Sequence, residues 1–167
     1  ASIFQKSRRG SRASSADFLR AIDWMLKSGV TVINASITSP TKNPVVLYAM
    51  SMLSHKQAIV IAAAGNRGPS APPVYPAAIE SAFAVTAVSV DGDAYPLANT
   101  GDYIDISAPG IDLPTTSRKV TSGTSLAVPF VTAAVAGLVQ MWGISPRAAQ
   151  SSLQAHARHL GARRWES

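Results

Sequence analysis

Four short runs of β-branched and other apolar residues most constrain what this chain can fold into. Most of them are continuous rather than alternating, and a continuous apolar run indicates a strand that is covered on both faces. Strands of that kind occur in parallel sheets with helices packed above and below. The runs lie at residues 30–33, 59–62, 83–88 and 103–106.

Helical segments with capping signals alternate with these runs. Each segment begins after a serine or asparagine that can cap a helix, and two of them continue with proline, a favoured first helical residue. The predicted helices cover about residues 15–27, 44–56 and 146–155. This order predicts an α/β fold with a mostly parallel sheet and helices on both faces.

Composition supports one folded domain. The chain has 167 residues, of which 47% are hydrophobic and 14% charged, so it carries enough apolar material for a core. It contains no cysteine, which excludes disulfides, thiol nucleophiles and cysteine zinc sites. The longest apolar runs, at about 58–64 and 133–139, are far shorter than the ~20 residues of a membrane span. We therefore expect no membrane span.

The chain is basic overall, and basic residues cluster near both of its ends. There are 15 Lys and Arg against 9 Asp and Glu, which gives a net charge of +6. Only Phe4 and Trp165 accompany the basic residues near the two ends, so solvated basic tails are favoured over a nucleic-acid surface. No apolar stretch follows the first basic residues, and we expect no signal peptide in this chain. The basic residues are Lys6, Arg8, Arg9 and Arg12 at one end and Arg158, Arg163 and Arg164 at the other.

The segment 121–130 places Ser and Thr residues just before the apolar, small-residue helix 131–139. A serine there would lie at a helix N-terminus, where unpaired N–H groups and the helix dipole favour a negative oxygen. The alternative is that Ser122, Thr124 or Ser125 is an ordinary helix cap.

A second polar segment follows a buried strand. Gly65 and Asn66 come directly after the apolar run ending near Ala64, and functional side chains collect at that edge of parallel sheets. The Asn66 amide could donate to an oxyanion. The alternative is a simple turn, because Gly and Asn both tolerate left-handed backbone.

Taken together, these segments resemble the subtilisin-like serine proteases. The resemblance rests on ordered motifs over most of the chain, within about 13–160, so residues 1–167 are interpreted as a partial peptidase domain with basic tails. Phe130, where the family usually has a non-catalytic histidine, and Ile37-Thr38, where it has Leu-Gly, depart from the pattern. The motifs are Val32-Ile33-Asn34-Ala35-Ser36-Ile37, 62–66, Tyr75-Pro76-Ala77, 82–88, Ala98-Asn99-Thr100-Gly101, Ser107-Ala108-Pro109-Gly110 and 123–129.

The resemblance implies roles for individual residues. Ser125 would be the nucleophile, and Asn66 with the backbone N–H of Ser125 would form the oxyanion hole. The Arg67 charge would disfavour Lys or Arg before the scissile bond and tolerate Glu or Asp; a solvated surface arginine is the alternative. The residues expected to contact substrate are Ser36, Ile37, Thr38, Ala63, Ala64, Gly65, Arg67, Gly123 and Thr124.

The rest of the catalytic triad does not occur in the sequence. The family order is Asp, His, Ser, yet there is no Asp-Thr-Gly, Asp-Ser-Gly or His-Gly-Thr. His55, His156 and His159 fit exposed helix or tail positions better than a displaced base. The chain is therefore expected to be the C-terminal portion of a serine endopeptidase domain, inactive alone and lacking the first strands of the sheet.

Three explanations of such a chain stay open. It could be a fragment of a longer enzyme, which we favour, one chain of a nicked enzyme, or a truncated remnant that binds peptides or a partner without cutting. If residues 1–5 are the remnant of a strand, the sheet has an open edge for the missing N-terminal segment or a second chain. The resemblance further implies a secreted or periplasmic protein and permits calcium, although no loop shows calcium-ligand spacing.

Overall fold

A computed structural model describes residues 14–116 and 119–159, and the backbone of Gln5–Ser7 and Gly10–Arg12. The first two elements, β1 and β2, pair as an antiparallel hairpin. The expected strand remnant at 1–5 falls mostly outside the described residues. In chain order the elements are β1 (Gln5–Ser7), β2 (Gly10–Arg12), α1 (Ser15–Lys27), β3 (Val32–Ala35), α2 (Pro44–His55), β4 (Ile59–Ala63), β5 (Ala82–Val88), β6 (Ile106–Pro109), β7 (Leu113–Pro114), β8 (Val120–Thr121), α3 (Thr124–Trp142) and α4 (Pro146–His156).

The centre of the fold is a four-stranded parallel sheet in the order β3-β4-β5-β6. Every residue of β4 and β5 is buried, as their continuous apolar runs predict. The α/β prediction with a parallel sheet and helices on both faces is confirmed. Within the described part of the chain, β3 is an edge strand with a partner on one side only.

Two predicted strands were misplaced along the chain. Residues 30–33 were predicted, but β3 is Val32–Ala35, because the chain first turns at Gly29, whose φ is +71°. Residues 103–106 were predicted, but β6 begins at Ile106. Just before β6, a side chain takes the place of the backbone ladder: the Asp105 carboxylate accepts a hydrogen bond from the Ala84 N–H at 2.7 Å.

The helices divide between the two faces of the sheet. Ile22 of α1 and Leu53 of α2 pack with Val60 on one face. Val128, Val131 and Val135 of α3 pack with Ile61 and Phe83 on the other. The alternate residues of β4 therefore point into two separate cores, which explains why the strand has no polar side.

The long helix α3 covers the sheet with one side only. It begins at Thr124, seven residues before the predicted start at 131, and includes Pro129. Its outer side leaves Phe130 49% and Met141 77% exposed. In the described part of the chain, α3 is the one helix long and apolar enough to cross a membrane by length and composition. Its other side packs against the four strands of the sheet.

Candidate active site

The polar segments singled out in the sequence meet at the carboxyl end of β4. Ala64 extends the strand by donating its N–H to the Val85 carbonyl. Gly65 then turns the chain with a φ of +108°, a conformation that favours glycine. The Gly65 N–H donates to the Thr124 hydroxyl at 3.1 Å, which joins this turn to the first residue of α3.

The orientation of the Asn66 amide is fixed by its neighbours. Its Oδ1 accepts from the Thr124 N–H at 2.9 Å and from the Thr124 hydroxyl at 3.0 Å. Since a backbone N–H can only donate, the acceptor end of the amide must face α3. The Nδ2 group consequently points the other way, and it has no acceptor among the described residues.

Gly123 lies between Asn66 and Ser125. A Cβ atom added to Gly123 would lie 3.1 Å from Asn66 Nδ2 and 3.6 Å from Ser125 Oγ. The backbone N–H of Ser125 also has no acceptor among the described residues, because it lies in the first turn of α3. Two donors without acceptors, Asn66 Nδ2 and the Ser125 N–H, thus lie at the positive end of a 19-residue helix.

Ser125 is held by a contact that depends on Pro129. Proline has no N–H, so it cannot donate to the carbonyl four residues earlier in the helix, which belongs to Ser125. The Ser36 hydroxyl donates to that carbonyl instead, at 2.9 Å. Ser36 in turn accepts from the Asn34 amide at 2.9 Å, which links the turn at Ser125 to the end of β3.

The loop that carries Asn66 is held by hydrogen bonds from the side chain of Asn99, which is fully buried. Asn99 Oδ1 accepts from the Arg67 N–H at 2.9 Å, and its Nδ2 donates to the Pro72 carbonyl at 3.1 Å. The Tyr103 hydroxyl donates to the Ala64 carbonyl at 2.7 Å. Burial raises the pKa of Tyr103, which keeps this donor protonated.

Apart from Ser36 and Gly123, which are described above, the predicted substrate-contact residues fall into two groups. Ala63, Ala64 and Thr124 are buried with side chains turned inward, and Gly65 is buried beside Asn99. In contrast, Ile37, Thr38 and Arg67 line a cavity of about 940 Å³ next to the Asn66 turn. Whether these residues contact substrate stays a prediction.

None of the described histidines forms a hydrogen bond with Ser125. His55 donates to the Ser51 carbonyl of its own helix and precedes the amino end of β4, whereas Asn66 follows the carboxyl end. Five strand residues at ~3.3 Å each separate the two ends by roughly 16 Å. His156 likewise bonds to its own helix at the Ser152 carbonyl, and His159 is exposed.

Sequence reasoning missed the residues that hold the site together. Asn99 was noted only within the motif 98–101, and neither Asn34 nor Thr132 was given a role. Thr132 donates to Asn34 Oδ1 at 3.2 Å across 98 residues of sequence. Such contacts carry no local signal, because each joins one polar side chain to a partner far along the chain.

The arrangement places a serine hydroxyl and an amide donor on either side of Gly123, with no base bonded to the hydroxyl among the described residues. A hydroxyl and unpaired N–H donors are the groups that acyl transfer requires of its oxyanion-stabilising half. In the described residues, no group of three His, Asp or Glu side chains could hold a metal ion. Calcium binding stays a prediction from the family resemblance.

Family comparison agrees with this geometry. The model of the Subtilase family matches residues 3–165. This chain belongs to the Subtilase family. The resemblance drawn from the motifs is thereby confirmed, together with the classification as a subtilisin-like fold.

The relatives and solved structures show how much of a family member is present. Thermitase from Thermoactinomyces vulgaris is 34% identical over 74% of this chain and 45% of its own length. Subtilisin DY from Bacillus licheniformis is 29% identical over 91% of this chain and 58% of its length. The solved structure of a prenylagaramide maturation protease, PagA, is 25% identical with a TM-score of 0.85, over 99% of this chain and 64% of that one. The chain thus spans about half the length of such relatives.

Proposed function

We propose that this chain is the nucleophile-bearing part of a serine endopeptidase that hydrolyses peptide bonds through an acyl-enzyme on Ser125. The observation that carries the proposal is that Asn66 Nδ2 and Ser125 Oγ lie on either side of Gly123, 3.1 Å and 3.6 Å from the position where a Cβ would stand. In this proposal the absence of a side chain there lets the substrate carbonyl oxygen approach both groups. Attack by Ser125 then generates an oxyanion that accepts from Asn66 Nδ2 and from the Ser125 N–H.

The proton of Ser125 must leave through a base that another segment supplies. A serine hydroxyl is a weak nucleophile unless a neighbouring base takes its proton. His55 and His156 each bond to a carbonyl of their own helix, and no histidine forms a hydrogen bond with Ser125 among the described residues, so we assign this role to none of them. We assign the base and its orienting carboxylate to a polypeptide segment that covers Ser125 in the complete enzyme.

Two exposed features of the structure mark where that segment would pack. One is the edge of β3, which has a single strand partner in the described part of the chain. The other is the outer side of α3, where Phe130, Ala133 and Ala134 are exposed directly after the nucleophile's turn. A strand beside β3 and an apolar helix on α3 would bring a base close to Ser125. A second chain could supply the same elements.

Labelling with a fluorophosphonate tests the proposal, because such probes react with an activated serine. We expect the 167-residue chain to react slowly or not at all, and the chain joined to its upstream Asp- and His-bearing segment to react faster by about 10⁴-fold or more. Ser125→Ala should abolish the fast reaction. Triple replacement of the three histidines by Gln is the matched control and should leave it unchanged.

Rapid labelling of the chain alone, lost on replacing one of its histidines, would overturn the assignment of the base. Slow labelling of both forms would favour the alternative, a truncated relative that binds peptides without cutting them. The extracellular protease Epr of Bacillus subtilis is 31% identical over 73% of this chain. We accordingly propose a secreted protein, which cell fractionation tests directly.

A further inference from the structure

A series of hydrogen bonds runs from the end of β3 to Ser125. The Asn34 amide donates to the Ser36 hydroxyl, and the Ser36 hydroxyl donates to the Ser125 carbonyl, each at 2.9 Å. Both bonds run in the same direction, from β3 toward the first turn of α3. Hydrogen bonds in such a series polarise one another, so the bond to Ser125 depends on the bond from Asn34.

The direction of the series follows from the chemistry of its members. Pro129 has no N–H to give to the Ser125 carbonyl, which accepts from Ser36 instead. A serine hydroxyl has a single proton, and this proton is directed to Ser125 because Asn34 presents a donor to the same oxygen. An acceptor in place of the Asn34 amide N–H would compete with Ser125 for the proton.

The orientation of the Asn34 amide is supported by α3. The Thr132 hydroxyl donates to Asn34 Oδ1 at 3.2 Å and also lies 2.9 Å from the Val128 carbonyl. A donor at Oδ1 directs the other end of the amide, Nδ2, toward Ser36. Thr132 shares its proton with its own helix, so we expect it to contribute less than Asn34 or Ser36.

The backbone of Asn34 faces the open side of β3. The Ile59 N–H of β4 donates to the Thr31 carbonyl. Alternate residues of a parallel strand bond to the same neighbour, so the residues that serve β4 are 31, 33 and 35. The backbone groups of Asn34 therefore face the side on which β3 has no strand partner in the described part of the chain. Asn34 thus contributes its backbone to the open edge and its side chain to the series.

From this geometry we infer that Asn34 is a positioning residue for Ser125 and acts through the Ser36 hydroxyl. Its amide keeps the Ser36 proton on the Ser125 carbonyl, which fixes the first turn of α3 and with it the Ser125 side chain. A nucleophile displaced by ~1 Å can lose about 10²-fold in rate. The effect on rate rests on the proposed function, whereas the hydrogen bond can be measured without catalysis.

NMR of the 167-residue chain tests the hydrogen bond. Labelling serine carbonyls with ¹³C and leucine amides with ¹⁵N selects two peptide bonds, Ser125–Leu126 and Ser152–Leu153, of which the second is an internal reference. Asn34→Asp and Ser36→Ala should both move the Ser125 carbonyl signal to lower frequency, as for a carbonyl that loses a hydrogen bond. The reference signal should not move.

The matched control is Thr31→Asp, which adds the same charge at another exposed residue just before β3. It should leave both carbonyl signals in place. Asn34 is itself exposed, so its substitution is compatible with the fold. Asn34→Ala should move the Ser125 signal less than Asn34→Asp, because alanine offers no acceptor for the Ser36 proton.

Fluorophosphonate labelling of the completed enzyme tests the consequence for Ser125. Asn34→Asp should lower the labelling rate constant about tenfold and Asn34→Ala about threefold, with Thr31→Asp unchanged. On a peptide substrate, kcat should fall by the same factors while KM changes little. Ser36→Ala should also cost about tenfold, and adding Asn34→Asp to it should cost nothing more, because both act on one hydrogen bond.

An unmoved Ser125 signal in Asn34→Asp would overturn the inference. Wild-type labelling by Asn34→Asp, with a lower free energy of unfolding in urea, would overturn it as well, because Asn34 would then act on stability alone. Conversely, a moved signal together with failed labelling of the completed enzyme that retains Asn34 would refute the proposed function and support the link from Asn34 to Ser125.

Discussion

The Asn66 turn and the outer side of α3 lie next to each other. The turn has its buried polar groups hydrogen-bonded within the chain, whereas the outer side of α3 leaves apolar residues exposed. In the turn, Asn66, Thr124 and Asn99 form a network in which the buried polar groups have partners. On the outer side of α3, Phe130 is 49% exposed, and Ala133 and Ala134 are exposed with it. A polar network whose members all bond within one chain is already organised. An exposed apolar face, by contrast, indicates an interaction surface. The proposed function expects this difference, because it places the oxyanion-binding half of the site within this chain and the proton-transfer half on another segment.

The largest expected effect comes from removing the donor that the turn presents. In the completed enzyme, Asn66→Leu should lower kcat about 10²- to 10³-fold and leave KM nearly unchanged, because the lost hydrogen bond forms with the oxyanion. That magnitude is the one known for the oxyanion asparagine of a subtilisin, which is a relative of this chain. Steady-state kinetics on a peptide substrate measure it. A variant with wild-type kcat would remove Asn66 from the oxyanion site.

The second test asks whether Asn99 is what makes the turn rigid. Asn99→Ala should reduce the free energy of unfolding by about 2 to 3 kcal/mol, since it leaves the Arg67 N–H and the Pro72 carbonyl without partners. Urea denaturation of the 167-residue chain measures this loss. Thr100→Ala removes a more accessible hydroxyl bonded to the Pro69 carbonyl and should cost less than about 1 kcal/mol. Equal costs would mean that the turn does not depend on Asn99.

The smallest effect is expected on the outer side of α3. Phe130→Ser should change the free energy of unfolding of the isolated chain by no more than about 0.5 kcal/mol. Val135→Ala, on the inner side of the same helix, should cost about 2 kcal/mol, because Val135 is fully buried. Urea denaturation of both variants gives the comparison. A similar cost for the two substitutions would show that the outer side is already packed.

Several features of the fold could be predicted from local sequence because they depend on local chemistry. The uninterrupted apolar runs of β4 and β5 require burial on both faces, and Asn43 before Pro44 fixes the start of α2. The predicted strand ends were less accurate, as at the start of β6. There the ladder starts only at Ile106, after Tyr103 and Asp105 have made side-chain hydrogen bonds to Ala64, just after β4, and Ala84 of β5.

By itself, the sequence determined the parallel α/β architecture, the family motifs and the two polar segments around Asn66 and Ser125. Only the tertiary structure decided which way the Asn66 amide faces, because the Thr124 N–H that orients it lies 58 residues away. It also decided that Ser36 replaces the hydrogen bond that Pro129 cannot make, and that Arg67 joins a cavity formed by two helices. Hydrophobic periodicity is written into neighbouring residues, whereas a hydrogen bond between distant side chains exists only once the sheet has brought its strand ends together.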